Sequence, residues 1–173
     1  ENANGGSRVP EEVWPGYAHS WASKKRATLG SALVMTAPGI PMIFQGQEFL
    51  QGEWFRDDVP LDWDLDESFA GIVRLYRDLI RLRRNLSGTS RGLTGQHLDV
   101  FHANDPDNVV AFHRWAEGGA GDDVVVVMNL RNRGLVDYDI GMPAPGSWSL
   151  LLNSDARVYS PDFADTPSAD LEA

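Results

Sequence analysis

Between residues 19 and 36, Trp21, Ala22, Leu29, Ala32, Leu33 and Met35 fall mainly on one side of a 3.6-residue period, and Lys24, Lys25, Arg26 and Thr28 on another. That spacing predicts an amphipathic helix, begun by His19 or Ser20 and stopped by Pro38-Gly39. A second helix is predicted over 66–85, where Phe69, Ile72, Val73, Tyr76, Leu79 and Ile80 step by three and four,. Asp66 and Glu67 occupy its first turn, and Arg81, Arg83 and Arg84 its last, the order that a helix dipole favours. Between the helices, residues 40–44 form a short apolar run bounded by Gly/Pro signals. It alternates too little for a half-exposed strand and reads as a buried one.

Past Ser87-Gly88-Thr89-Ser90 the pattern changes to short strands separated by turn residues. Strands are predicted over 97–102, 109–115, 124–130, 136–140 and 147–152, with 124–128, apolar on both faces, as the central one. Such spacing suggests an antiparallel sandwich. The polar residues from about 154 onward, with two prolines and several aspartates, read as a loosely ordered tail,. The segments therefore divide as 1–88 (α/β), 89–155 (all-β) and 156–173 (tail). A helix–strand–loop–helix piece cannot close a barrel alone, because its apolar strand and helix faces would stay uncovered. Residues 1–88 are expected to need further chain to bury them.

Charge narrows the partners. The 15 Lys and Arg stand against 25 Asp and Glu, a net of −10, which repels phosphate backbones and anionic lipid and disfavours nucleic acid and membrane surfaces. A neutral polymer is indifferent to that field. The chain has no cysteine, which removes disulfides and thiolate metal sites and favours a reducing, cytoplasmic setting. No apolar run approaches the length of a membrane span.

The chemistry concentrates between Pro38 and Trp63. The apolar run ends in Gln45-Gly46-Gln47-Glu48 and opens into a loop bearing Trp54, Phe55, Asp57, Asp58, Asp62 and Trp63. Indoles cover the apolar faces of sugar rings, while amides and carboxylates take up hydroxyl hydrogens. Trp54 and Trp63 are candidate sugar platforms, with packing of the loop as the competing reading. Asp57, Asp58 and Asp62 cluster, but without the spaced oxygen ligands of a calcium loop, so no metal or other cofactor is expected. The four histidines show no paired metal spacing. His97 and His102, five apart on one strand, are expected to face opposite sides,. Trp115 and Trp148, on predicted strands, are either core residues or a secondary sugar-binding face.

The run PGIPMIFQGQEF, followed by EW and LDW, resembles the last barrel strand and following loop of amylase-type glycoside hydrolases of family 13. The similarity is greatest to the glycogen and starch branching enzymes. The opening ENANGGSRVPEE resembles the segment after that family's His-Asp pair. The resemblance implies the last strand and helices of a (β/α)8 TIM barrel, followed by a C-terminal antiparallel β-sandwich domain. It implies an α-glucan substrate and a retaining transfer that forms α-1,6 branches. A hydrolytic amylase, a trehalose-forming relative or a free-standing carbohydrate-binding module remain alternatives. By the same resemblance the catalytic carboxylates lie upstream of Glu1, so the chain is expected to be a C-terminal fragment, inactive without the missing N-terminal part. Gln47 and Glu48 would then line or support the donor-sugar site, and Glu1 and Asn4 would flank the His-Asp pair. Arg8 could hold the loop by bonding its carbonyls.

Overall fold

A computed structural model describes residues 6–119 and 121–173, so Glu1 and Asn4 lie outside the described residues. The chain forms two compact units.

The first unit gathers the residues up to Met35, Pro41–Leu79 and Ser154–Asp165. It begins with a short helix, α1 (Val9–Val13), and a longer one, α2 (Trp21–Thr36). Ser20 starts α2 by accepting the Ser23 N–H at 3.2 Å, which satisfies one of the donors a helix start leaves open. Its buried face is only partly the predicted one. Ser23, Lys24, Ala27, Thr28, Ser31 and Met35 are buried, whereas Trp21, Leu33 and Val34 are exposed by 43%, 42% and 44%. The buried hydroxyls are satisfied within the helix: Thr28 donates to the Lys24 carbonyl at 2.9 Å and Ser31 to that of Ala27 at 2.8 Å.

Lys24 and Lys25 are satisfied by the segment predicted to be a loose tail. Lys24 meets Asp162 at 2.5 Å and Ser160 at 3.1 Å. Lys25 meets Asp155 at 2.6 Å and lies over the Phe163 ring at 4.3 Å. Tyr159 and Phe163 are buried, and the Tyr159 hydroxyl donates to Asp78 at 2.9 Å. Ser154–Asp165 is thus a strap closed over the first unit, held by polar anchors and two aromatic rings, and not a free tail.

The predicted second helix is split. α3 (Asp64–Ser68) ends at Phe69, and α4 (Ala70–Arg83) carries the buried stripe Ile72, Val73, Leu75, Tyr76 and Leu79. Gly71 lets the strap approach, since a Cβ there would stand 2.3 Å from the Tyr159 carbonyl oxygen.

Residues 40–44 do not form a strand. Ile40 is 98% and Met42 73% exposed. A strand needs ladder partners for its N–H and C=O groups, and the described residues offer this run none.

The second unit comprises Thr36–Ile40, Ile80–Asn153 and Thr166–Ala173. The last turn of α4 therefore groups with the β region. Its main sheet is antiparallel, in the order β1 (His97–Asn104), β2 (Val109–Trp115), β3 (Val124–Asn129). The central strand is β2, not the valine run, because each neighbour joins it by a hairpin. A further pair joins β4 (Ser147–Trp148) to β5 (Leu171–Glu172), at the very end of the chain. Residues 136–140 form no strand. Irregular pairing between Asp99 and His102 shifts the register, so His97 faces Trp115 and His102 faces Ala111. Those partners lie four apart on β2, so both histidines share one face, contrary to simple alternation.

Arg114 is fully buried. It donates from Nε to the His97 carbonyl at 2.9 Å, and from its terminal nitrogens to the carbonyls of Thr36, Leu93 and Gly95. Arg83 donates in the same way to Ala37 at 2.6 Å and to Gly39. Among the described residues no helix is long and apolar enough to cross a membrane.

Candidate functional site

The loop after residue 44 is organised by Arg8, as its sequence position suggested. The side chain is buried and donates to the carbonyls of Gln45 at 3.3 Å, Gly52 at 3.1 Å and Trp54 at 3.2 Å. Its own N–H bonds the Glu53 carbonyl at 3.0 Å, and its guanidinium lies 5.5 Å from the Phe44 ring. Burial lowers the guanidinium pKa, and the Glu53 carboxylate raises it in part. One planar cation thus gathers carbonyls spread over ten residues, which a lysine could not do with the same geometry. Leu50 and Glu53 adopt left-handed backbone conformations, with φ of 60° and 61°, uncommon for residues with side chains.

Gln47 faces inward. Its amide oxygen accepts the Phe44 N–H at 3.2 Å, and its NH2 donates to Ser31 Oγ at 3.3 Å, which in turn bonds the Tyr76 hydroxyl. Burial pushes the Tyr76 hydroxyl up to about 12, against the bonds from Ser31 and Gln47 and with the Glu48 charge adding to it. Glu48 sits in a 3₁₀ turn, Gln47–Phe49. Its Oε2 is buried and has no hydrogen-bond partner among the described residues. A buried acceptor without a donor is costly, and such atoms are rare unless a ligand or water serves them.

Trp54 and Trp63 are 56% and 66% exposed. Trp54 is tied through its backbone, by an isolated bridge to Ser7. Trp63 leans on the buried Phe49 at 5.5 Å and keeps most of its surface open. Neither is a buried packing residue. Of the loop's acids, Asp58 is gripped by Arg56 at 3.0 and 3.2 Å, which holds its carboxyl below the usual range. Among the described residues no group of three or more His, Asp or Glu could hold a metal ion.

A further cleft of the first unit is lined by other residues. It has a volume of about 520 Å³, and its walls include Glu11, Tyr17, His19, Gln51, Glu53 and Asp62. Gln47, Glu48, Trp54 and Trp63 are not among them. The sequence signal that could have found it was Trp14 and Tyr17 within a Pro/Gly loop, which reads in sequence only as an irregular connection. In the β region, Trp115 is half-buried, with His97 stacked on it at 5.2 Å and 7° and His113 at 4.8 Å. Those imidazoles cover part of its ring.

Residues 100–168 match the alpha amylase C-terminal all-beta domain. The chain is also similar to "1,4-alpha-glucan branching enzyme GlgB" of Paramagnetospirillum magneticum, at 35% identity over 162 residues, 88% of this chain and 20% of that protein. The chain is a homologue of the GlgB branching enzymes. The GlgB of Frankia casuarinae is 33% identical over 144 residues, 80% of this chain and 18% of its own length. That of Mycobacterium tuberculosis is 35% identical over 150 residues, 84% of this chain and 20% of its own. The match thus spans about a fifth of these branching enzymes. The strap, 154–165, falls inside the domain match, so the all-beta family signature extends over residues that fold onto the helical unit.

Proposed function

We propose that this chain works as the C-terminal part of a 1,4-alpha-glucan branching enzyme. Residues 1–88 are the closing portion of its (β/α)8 barrel, and the β region is its terminal domain. The similarity to branching enzymes along 88% of the chain carries this reading. In the parent enzyme an α-1,4 bond is cleaved through a covalent glycosyl-carboxylate and the glycan passes to a 6-hydroxyl, a retaining double displacement. In this reading the two carboxylates it requires are supplied by the rest of that enzyme. The exposed Ile40 and Met42, and the outward Leu33 and Val34, supply apolar surface suited to neighbouring barrel elements,. Glu48 has one unserved oxygen to accept a hydroxyl hydrogen of the donor sugar. Gln47 braces that turn from behind, and Trp54 and Trp63 offer flat apolar faces. Glu1 and Asn4 belong to the same cleft in this reading, and the cysteine-free sequence suits a cytoplasmic setting.

The test is Glu48→Gln in the full-length enzyme, with branching followed by iodine absorbance and by chain lengths after debranching. A loss in kcat/KM of about ten- to a hundredfold is expected, about 1.4–2.8 kcal/mol of transition-state stabilisation. The purified 173-residue chain is expected to be inactive on amylose. Full activity of the variant would remove Glu48 from the site, and turnover by the isolated chain would overturn the division of labour.

A further inference from the structure

We propose that the cleft beside Tyr17 is a second α-glucan contact, separate from the Glu48 group and resting on the reading above for the identity of the polymer. Its volume of about 520 Å³ lies within the 300–1,000 Å³ of ordinary small-ligand sites. Its floor and rim combine the two things a sugar ring needs.

The first is a flat apolar face. Tyr17 is 61% exposed and is backed by Trp14, itself 49% exposed, with ring centroids 5.1 Å apart at 42°. The turn that presents Tyr17 is clamped, because the Gly16 N–H donates to Glu11 at 2.6 Å and the Tyr17 N–H to the Trp14 carbonyl at 2.9 Å. A fixed ring loses little freedom on stacking, so the contact favours binding.

The second is a set of hydroxyl partners. Glu53 and Asp62 line the cleft, Asp62 with one oxygen already accepting the Asp64 N–H at 3.1 Å, and carboxylates accept hydroxyl hydrogens. Gln51 uses its amide oxygen on the Asp62 N–H at 2.9 Å, which fixes the side chain and leaves its NH2 as a donor. His19 is held in place by the Leu50 carbonyl at 3.1 Å and the Phe69 ring at 4.8 Å, and it serves as wall. Carboxylates on this wall repel sugar phosphates and other anions. A neutral polyhydroxylated chain meets no such penalty, and its C–H faces suit the aromatic pair.

The 173-residue chain titrated with maltohexaose, followed by tryptophan fluorescence and by retardation in glycogen-containing gels, tests the site. Tyr17→Ala and Trp14→Ala are each expected to weaken binding about fivefold or more. Tyr17→Phe retains the ring and is expected to retain most of the affinity. Unchanged melting temperatures keep a folding loss from imitating the result. Unaltered affinity in Tyr17→Ala, or loss confined to Trp54→Ala and Trp63→Ala, would overturn the cleft while leaving the branching-enzyme reading standing. Absence of maltohexaose binding would overturn the cleft as well, since that reading is judged separately by the Glu48 variant. Equal affinity for cellohexaose would overturn the assignment to α-glucan.

Discussion

Arg8 in the first unit and Arg114 in the second do similar work in different surroundings. Each is buried, and each spends its fork of donors on backbone carbonyls. Arg114 sits on a central strand whose ladders are closed by hairpin neighbours on both sides, and it finishes a structure that local pairing has nearly completed. Arg8 gathers a loop, while residues 40–44 just before it have no ladder. Antiparallel strands can find partners within a few residues of sequence.

Arg114→Met is expected to be the most damaging change. It strips donors from four carbonyls, and buried groups left unserved cost about 1–3 kcal/mol each before relaxation. A loss of about 3 kcal/mol or more is expected in denaturant melts, with collapse of the β signal in circular dichroism. Arg8→Met is expected to cost less globally, about 1–3 kcal/mol. Its effect should be local, seen as faster hydrogen exchange and proteolysis between residues 45 and 56 with the β region unaffected. Equal global losses from the two variants would dissolve the contrast.

Gly71→Ala sharpens the comparison from the strap side. The added Cβ collides with Tyr159 backbone and not with a flexible side-chain end, so a cost of about 1–3 kcal/mol is expected. Cleavage by trypsin after Arg157 should accelerate, because the strap is lifted from α4.

The smallest effects are those of pH. Burial acts to raise the Asp162 carboxyl, but the hydrogen bonds from Lys24 and Ser160 and the Lys24 charge outweigh it, and the net pKa lies below the ordinary value. A depressed carboxylate contributes stability above its unfolded pKa of about 3.9 and loses it as pH falls through the folded value. The strap should therefore loosen below about pH 4. Tyr76 acts in the opposite sense. Its hydroxyl is raised to about 12, so its contribution is complete below about pH 10 and lost as pH rises towards that folded value. Asp162→Asn should lessen the acid limb only, and Tyr76→Phe the alkaline limb only, in melting curves taken across pH.

Several parts of this molecule could be read directly from its residues. The α4 stripe at Ile72, Val73, Tyr76 and Leu79 and the strands at 109–115 and 124–129 needed only periodicity and turn residues, whereas the carbonyl-holding role of Arg8 came with the resemblance. The branching-enzyme resemblance was carried by contiguous motifs around Gln47, Glu48 and Trp63. Local pattern failed where a distant segment supplied the partner. Lys24 and Thr28 looked solvent-facing because nothing nearby in sequence announced Asp162 or Tyr159. The irregular pairing that turns His102 to the same face as His97 is a property of pairing, not of either strand alone. The cleft beside Tyr17 arises only when residues near 17, 51 and 62 meet. The sequence thus determined the helices, the hairpin strands and the identity of the relatives, because those depend on short-range spacing and local motifs. Tertiary structure decided which polar groups are buried, since burial of a charge or hydroxyl depends on whether another part of the chain arrives to bond it.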